Sequence, residues 1–277
     1  MSQTPSQSNL FPFAFATDLW RQRELLWQFT LRNVEVRHKG SYLGLIWSFL
    51  NPILMLGLYV LIFGYVFGGS FGVLPNETKV DYALGIFFGL TLFGFFAEVL
   101  GVSPLIIVGN PNFVKKVIFP LEILPAASVG GAFYHMLISL GLVLIGVFFF
   151  GHGASWGILW LPVIIVPLVL LGLGAAWLFS ALGVFFRDIG QLMQFLIMAL
   201  MYSSAVFFSA AKIPPEIWVY LRFNPLLLAI ELARDTSLWK RPMDFQHLGY
   251  LYFSGILACF LGHLAFRKMK PAFADVL

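Results

Sequence analysis

Residues 123–186 read ILPAASVGGAFYHMLISLGLVLIGVFFFGHGASWGILWLPVIIVPLVLLGLGAAWLFSALGVFF, and none of these 64 residues is Asp, Glu, Lys or Arg. About 20 consecutive apolar residues cross a bilayer as an α-helix, so the run is long enough for two crossings. The glycine and polar residues of GHGASWG (151–157) mark a tight turn between them. The stretch therefore predicts two membrane-spanning helices joined by a short connection.

The remainder of the chain has the same character. Of its 277 residues 60% are hydrophobic and 11% are charged, whereas soluble domains contain about 25% charged residues. We therefore predict an all-α integral membrane protein with six transmembrane helices. The spans are expected at 43–68, 82–106, 122–150, 157–185, 190–210 and 246–266.

The distribution of basic residues predicts the orientation. Six spans place both termini on one side of the membrane. Outside the spans, 11 Lys and Arg residues fall on that side and six on the other. Cytoplasmic loops carry the excess of Lys and Arg, so both termini are expected in the cytoplasm. This bias also accounts for the net charge of +4 without invoking nucleic acid as a partner.

The segment before the first span divides into two parts. Residues 1–17 are polar and contain no Lys or Arg, so we expect a disordered tail and no cleavable signal peptide. Residues 18–39 predict an amphipathic helix lying in the membrane interface. Its apolar face would carry Trp20, Trp27, Leu31 and Val34, opposite Arg21, Glu24, Gln28, Arg32 and Glu35. A soluble helix packed on another protein is the alternative.

The segment 211–245 is neither a span nor a polar loop. Its apolar pieces, IWVYLRF and PLLLAIELA, are each about half the length of a crossing, and prolines separate them. Short apolar helices of this kind predict a re-entrant hairpin between spans five and six, where protein or an aqueous cavity satisfies the backbone. Two amphipathic helices on the outer surface remain the alternative.

The sequence contains no motif for chemistry of its own. There is no GxxxxGK[ST] loop for nucleotide phosphates and no His, Cys, Asp and Glu cluster with metal-ligand spacing. A single cysteine, Cys259, cannot form an internal disulfide. We therefore predict no catalytic residue, metal or cofactor on this chain, which reads as a conduit without its own source of energy.

Several residues within the spans could contact a sugar. Glu98 is a carboxylate well inside a predicted span, and an ionisable group there is a functional candidate, although it could instead bond to a neighbouring helix. Aromatic rings can stack on sugar C–H groups. The candidates for a substrate channel are Trp47, Tyr59, Glu98, Tyr202, Phe207 and Phe208. Interface belts and helix packing are the alternative for the aromatic residues.

Three stretches in one order resemble the ABC-2 type permeases that export polysaccharides, the transmembrane subunits for O-antigen, capsule and teichoic acid. These are RELLWQFTLRNVEVRHKGSYLGLIWSFLNPIL (23–54), NPNFVKKVIFPLEILP (110–125), and FFRDIGQLMQ (185–194) followed by FNPLLLAI (223–230). The resemblance implies an ABC-2 type transmembrane domain over 40–277. It also implies re-entrant gate helices, to which Pro214, Pro215, Trp218, Asn224 and Pro225 would belong.

The resemblance further implies the partners and the location. A homodimer of this chain would bind two copies of an ATP-binding cassette subunit, which holds ATP and Mg²⁺, in the inner membrane of a bacterium. The cargo would be a lipid-linked polysaccharide, O-antigen first, moved outward through a channel between the two permeases. An ABC-2 permease for drugs or lipids is the alternative, and an ATP-independent glycan flippase is another.

A permease without a nucleotide site needs a rigid element on which its ATPase can act, and NPNFVKKVIFPLE (110–122) predicts one. Asn110 or Asn112 can cap a short helix, Pro111 suits its first turn, and Pro120 ends it. Phe113 and Val114 would insert into a groove of the ATPase, and Lys115 and Lys116 would face acidic groups or lipid phosphates. Arg187 and Asp188 would form a smaller second contact with the ATPase. Alternatively, the lysines only anchor the orientation.

Overall fold

The computed structural model describes residues 14–38, 42–115, 119–151 and 155–277, and within these ranges the regular structure is entirely helical, as predicted. The helices are α1 Ala14–Arg21, α2 Arg23–His38, α3 Trp47–Tyr59, α4 Lys79–Val102, α5 Pro111–Lys115, α6 Ile123–Phe150, α7 Leu161–Phe185, α8 Ile189–Ser203, α9 Pro215–Leu221, α10 Pro225–Ser237, α11 Phe245–Met269 and α12 Phe273–Val276. A π-helical segment, Val60–Val66, continues α3. Residues 1–13 of the predicted tail, Lys39 and Lys116 lie outside the described ranges.

Five helical stretches of the described chain are long and apolar enough to cross a membrane. They are Trp47–Val66, Lys79–Leu105, Ile123–Phe150, Trp156–Phe185 and Phe245–Val276. These correspond to the predicted spans one to four and six. The uncharged runs therefore located the long helices correctly.

The helix at the predicted fifth span, 190–210, is shorter than expected. α8 has 15 residues, or about 22 Å, whereas the hydrocarbon core of a bilayer is roughly 30 Å thick. It ends at Ser203 because Asn224 Nδ2 donates a hydrogen bond to the Ser203 carbonyl at 3.2 Å and Ala205 then adopts a φ of 51°. The structure thus supports five crossings, and the sixth rests on the sequence pattern.

The central helix of the bundle is α4, which packs on α6, α7, α8 and α10. Phe88, Phe95 and Leu92 are buried in these contacts. α4 begins with a capping box, in which Thr78 Oγ1 accepts from the Asp81 amide at 3.1 Å and Asp81 Oδ2 accepts from the Thr78 amide at 2.9 Å. Because neighbours surround this helix, its few polar groups face protein.

α7 and α11 approach each other through glycine. A Cβ atom on Gly174 would collide with the backbone carbonyl of Ala258, and one on Gly262 would collide with the carbonyl of Gly174. Small residues let helices in a membrane come close enough for extensive dispersion contact, which drives their association there. The two helices therefore meet backbone to backbone.

The bundle has two ends. We call the terminal end the one that holds α1, α2, α5 and the residues from 267 to 277. The opposite end holds the loop 67–78 and α9. An ion pair from Lys270 to Glu122 lies at the terminal end, and a hydrogen bond from Tyr82 Oη to the Phe207 carbonyl lies at the opposite end.

The predicted interface helix (18–39) is two helices, α1 and α2, which separate at Gln22. The first turn of α1 includes residues 14–17, which the sequence predicted as disordered. α2 lies on α6, and Val34 is buried in that contact, whereas Trp20 and Trp27 are exposed. Trp27 and Val34, seven residues apart, lie on the same side of α2, whereas Trp20 belongs to α1. The position of this segment in the membrane interface stays a prediction.

The segment 211–245 contains the two short helices that its prolines predicted. α9 has seven residues and exposes Ile217, Val219 and Tyr220. α10 has 13 residues and is largely buried against α4, α7 and α11. Burial on several sides is inconsistent with a surface position for α10.

Candidate functional site

A polar cavity of about 410 Å³ lies between α3, α4 and α6. Three of the residues predicted for a substrate channel, Trp47, Tyr59 and Glu98, all line it. Further polar lining comes from Ser48, Asn51, Thr91, His135 and Ser139. Ligand sites combine apolar walls with a few placed polar groups, and this cavity has that composition among helices that are otherwise strongly apolar.

A hydrogen bond joins Glu98 of α4 to His135 of α6. The His135 Nδ1 atom lies 3.0 Å from Glu98 Oε1 and 3.3 Å from Oε2. The bond to a neighbouring helix that was the alternative for Glu98 is therefore present. The pair also lines the cavity, so the two interpretations are compatible.

A second cavity, of about 570 Å³, shares Glu98 and His135 with the first. It extends toward the terminal end, where Arg32 and Asn33 of α2, Asn110 and Ser128 line it. The Glu98–His135 pair thus stands where the two cavities meet. Together they make a polar lining that begins beside α2 and reaches into the bundle.

Aromatic rings continue from the first cavity toward the opposite end. Tyr59 lies 5.9 Å from Phe63, and Phe63 stacks on Phe207 with ring centroids 5.4 Å apart and an interplanar angle of 26°. Tyr202 follows at 6.4 Å from Phe207. We call Tyr59, Phe63, Phe207 and Tyr202 the aromatic chain. Phe63 was not among the predicted residues, although it lies four positions after Tyr59 and so on the same side of a helix.

Phe208 does not join the aromatic chain. It packs with Trp218, Leu227 and Leu228 in a separate apolar cluster. Its place in the sequence, next to Phe207, gave no signal of this difference. The chain leaves α8 before these residues, so neighbours there can point in different directions.

α5 begins at Pro111, as predicted, but its surroundings differ from the prediction. The Asn110 side chain donates from Nδ2 to the Ile106 carbonyl at 2.8 Å, so the bond it shows does not cap α5. Phe113 packs on Phe29 at 5.6 Å and on Phe119 at 4.6 Å. Phe113 therefore joins α5 to α2 within this chain.

The other residues predicted for the ATPase contact lie at the terminal end. Asn112 and Lys115 are exposed, and so are Arg187 and Asp188 between α7 and α8. Val114 lines a cleft of about 500 Å³ with Phe113, Glu122, Arg267 and Lys270. Lys270 Nζ donates to both carboxylate oxygens of Glu122 at 2.9 Å, which closes one side of the cleft.

The predicted gate residues organise the two short helices. Pro214 and Pro215 stand at the start of α9, and Pro225 is the first residue of α10. Asn224 caps α10, because its Oδ1 atom accepts from the amides of Leu226 at 3.0 Å and Leu227 at 3.4 Å. Its Nδ2 atom holds Ser203 at the end of α8, so Asn224 joins two helices. Trp218 packs in the cluster of Phe208.

Arg234 is the residue that the sequence analysis missed. Its side chain is fully buried in α10 and donates to three backbone carbonyls. Nε reaches Gly85 at 3.0 Å, Nη1 reaches Ala205 at 2.8 Å and Nη2 reaches Val206 at 2.6 Å. An arginine within the apolar sequence PLLLAIELARDTS is the signal that could have found it, since an unsolvated charge needs partners.

A comparison with protein families matches residues 24–238 to the ABC-2 type transporter model. The chain belongs to this family. The matched range runs from α2 to the end of α10, so the ABC-2 match covers the aromatic chain, α5 and Arg234. It also contains the polar lining contributed by α2, α3, α4 and α6.

Characterised ABC-2 relatives match nearly the whole chain. The O-antigen export system permease protein RfbA of Klebsiella pneumoniae is 29% identical over 92% of this chain and 95% of its own length. A protein of the same name from Myxococcus xanthus is 27% identical over 93% of this chain and 97% of its own length. The polysialic acid transport protein KpsM of Escherichia coli is 24% identical over 87% of this chain and 92% of its own length.

Proposed function

We propose that this chain is the membrane subunit of an ATP-driven exporter that moves lipid-linked polysaccharide, most directly O-antigen, from the cytoplasm outward. The observation that carries the proposal is the polar cavity between α3, α4 and α6, from which the aromatic chain leads to the opposite end. Ring faces stack on sugar C–H groups, while amide, hydroxyl and carboxylate groups bond to sugar hydroxyls. The names of the O-antigen relatives support the same cargo.

In this proposal the terminal end faces the cytoplasm. The excess of Lys and Arg on that side supports the orientation, with both termini in the cytoplasm and the chain in the bacterial inner membrane. α8 and the residues that follow it form the predicted fifth span, which brings the number of crossings to six. α9 and α10 then form the re-entrant gate on the outer side.

A second copy of this chain completes the channel in our proposal. α3 and the π-helical segment after it leave most of their apolar surface uncovered within one chain, as the exposure of Phe49, Ile53 and Leu61 illustrates. Such a surface is suited to lipid or to a second copy. The polysaccharide would pass between two copies, and each copy would bind one ATP-binding cassette subunit, which supplies ATP and Mg²⁺.

A capsular polysaccharide is the second candidate cargo. The relative named polysialic acid transport protein favours it, and its lower identity to this chain places it after O-antigen. Both cargoes are long glycans on a lipid carrier. The proposed contacts with sugar rings are the same for both.

The test is export by the purified complex. The chain and the ATP-binding cassette protein encoded beside it are reconstituted in liposomes that contain lipid-linked O-antigen, and glycan that crosses the membrane is measured. We expect ATP-dependent export that falls severalfold with Trp47→Ala or Tyr59→Ala and is unchanged with Phe149→Ala, an exposed ring at the end of α6. Failure to form a complex that hydrolyses ATP would contradict the proposal.

Coupling to the ATPase has its own test at α5. Val114→Asp places a charge in the apolar side of the cleft and should leave ATP hydrolysis intact while export stops. Val114 is the better target than Phe113, because Phe113 also supports α2. Val114→Leu, which keeps the cleft apolar, serves as the matched variant.

A further inference from the structure

Arg234 lies where four segments of the opposite end meet. Its guanidinium donates to carbonyls of α4 and of the 204–207 turn, as described above, while its own backbone belongs to α10. The fourth segment is the loop 67–78, because the Arg234 guanidinium carbon lies 4.7 Å from the ring centre of Phe71. Its hydrogen bond to Gly85 alone joins residues that are 149 positions apart in the sequence.

The surroundings of Arg234 are shaped to admit it. A Cβ atom at Gly89 of α4 would collide with the Nη2 atom of Arg234, so any larger residue there would displace the guanidinium. Phe71 covers the guanidinium from the other side and is itself buried against Tyr82 at 5.1 Å and Trp239 at 5.2 Å. The site therefore has no room for a differently placed arginine.

The turn that Arg234 holds is strained. Ala205 is buried and has a φ of 51°, a left-handed backbone conformation that disfavours any residue with a Cβ atom. Alanine therefore populates the left-handed conformation roughly tenfold less than its preferred conformations. The Ala205 carbonyl receives its hydrogen bond from Arg234 Nη1, so the bond and the strained conformation occur at the same residue.

The strained turn leads directly into the aromatic chain. Val206 also bonds to Arg234, and Phe207, the next residue, stacks on Phe63. The Phe207 carbonyl accepts from Tyr82 Oη at 3.1 Å, which adds a second restraint on the same residue. The position of Phe207 therefore depends on the conformation that Arg234 imposes on the two residues before it.

We propose that Arg234 is a positioning residue: it holds the 204–207 turn in its strained form and so keeps Phe207 stacked on Phe63. The stacked pair blocks the sugar path at the opposite end, and the two rings must separate for glycan to pass. Release of the turn relieves the strain at Ala205 and separates the two rings. The role in export rests on the proposed function, whereas the control of ring stacking does not.

Cross-linking of positions 63 and 207 tests the positional part. Phe63 and Phe207 are replaced by Cys in a Cys259→Ala background, in the full chain bound to its ATPase, and the yield with a short bifunctional thiol reagent is measured. Arg234→Lys keeps the charge but lacks the planar fork that bonds to three carbonyls. We expect it to lower the yield by about tenfold, the bias against the strained turn.

A rescue separates positioning from general stabilisation. Glycine adopts positive φ without penalty, so Ala205→Gly added to Arg234→Lys should restore most of the yield. The matched control is Lys240→Gly, because Lys240 is the other described non-glycine residue with positive φ, at 55°, and it is exposed outside the turn. It should restore nothing. Unchanged yield in Arg234→Lys, or equal rescue by both glycines, would overturn the proposal.

If Arg234→Lys does not assemble with the ATPase, Ala205→Gly in the otherwise native chain decides. It favours the closed turn, so the maximal rate of glycan export should fall severalfold while the ATP concentration for half-maximal hydrolysis stays the same. Lys240→Gly should change neither quantity. Export by Ala205→Gly at the native rate would refute the positioning role. Absence of export in the native complex, with cross-linking still dependent on Arg234, would refute the proposed function alone.

Discussion

At the terminal end, Lys270 meets Glu122 through two side chains that are partly exposed, 34% and 18%. At the opposite end, Arg234 is fully buried and meets backbone carbonyls from two other segments. Both are basic side chains that join distant parts of the chain. They differ in solvent access and in the kind of acceptor. The Glu122 carboxylate can move independently of the backbone, whereas a backbone carbonyl cannot.

The difference affects how each end can rearrange. A half-exposed ion pair contributes about 0–1 kcal/mol, because water replaces either partner when they separate. A buried charge that loses its acceptors keeps the cost of desolvation, so its contacts must be kept or exchanged together. The terminal end can therefore adapt gradually to a docked partner, whereas the opposite end is suited to switching between discrete states.

Removing the Arg234 side chain should have the largest effect. Arg234→Ala leaves three buried carbonyls without their donor and Glu231 without its nearest cation, at 3.5 Å. We expect the free energy of unfolding to fall by about 3–5 kcal/mol. Thermal unfolding in detergent measures the change. Arg241→Ala is the control, since Arg241 is half-exposed and bonds to Asp235 at 3.3 Å, and similar losses in both variants would show that the loss does not depend on burial.

A smaller effect is expected from Gly89→Ala. The added methyl group displaces the guanidinium of Arg234, and overpacking of this kind costs about 1–3 kcal/mol. Gly94→Ala on the same helix is the control, because its Cβ atom would have no neighbour within 4 Å and alanine favours the helix. The same unfolding measurement applies. A loss in Gly94→Ala as large as in Gly89→Ala would show that the cost is not specific to Arg234.

Replacing Glu231 tests whether the carbonyls or the carboxylate hold Arg234. Burial raises the pKa of Glu231, although Arg234 opposes this, so ionisation of Glu231 disfavours the fold. Native protein should then lose stability relative to Glu231→Gln as the pH rises from about 4.5, the ordinary carboxyl value, to about 7, by about 3 kcal/mol. Unfolding at pH 4 to 8 gives the comparison. If Glu231→Gln is less stable than the native protein at every pH in this range, the carboxylate has the main role in holding Arg234.

The smallest effect should come from the terminal end. Lys270→Ala is expected to lower the free energy of unfolding by about 0.5 kcal/mol, because both members of its ion pair reach water. Lys268→Ala provides a comparison on the same turn of α11. A double-mutant cycle with Glu122→Gln isolates the pair energy. A pair energy as large as the loss expected for Arg234→Ala would show that the two basic side chains stabilise their ends equally.

The sequence predicted the helices that depend on local composition. The uncharged runs located five long helices, and Asn224 with Pro225 marked the start of α10. Length alone could not reveal where α8 ends, since that depends on Asn224 bonding back to Ser203 across 21 residues. Trp47, Tyr59 and Glu98 were proposed as channel residues from their residue type, and the structure places all three on one cavity.

Arg234 could not be placed from the sequence for a related reason. Its acceptors are backbone carbonyls, which every residue has, so no residue pattern distinguishes Gly85 or Ala205 as partners. The difference in burial between Val34 and Trp27, which share one side of α2, could not be predicted either, because it depends on where α6 packs. Interactions that depend on tertiary packing, with no side-chain signature, limit the prediction.

The contact between α7 and α11 has a mechanical consequence. Helices that touch through their backbones at Gly174 and Gly262 have no flexible side chains between them to absorb movement. The pair should behave as one rigid lever, about 37 Å long for the 25 residues of α11. A tilt of roughly 5° at the Lys270 end then displaces the other end by about 3 Å. That distance is comparable with the separation of two stacked rings.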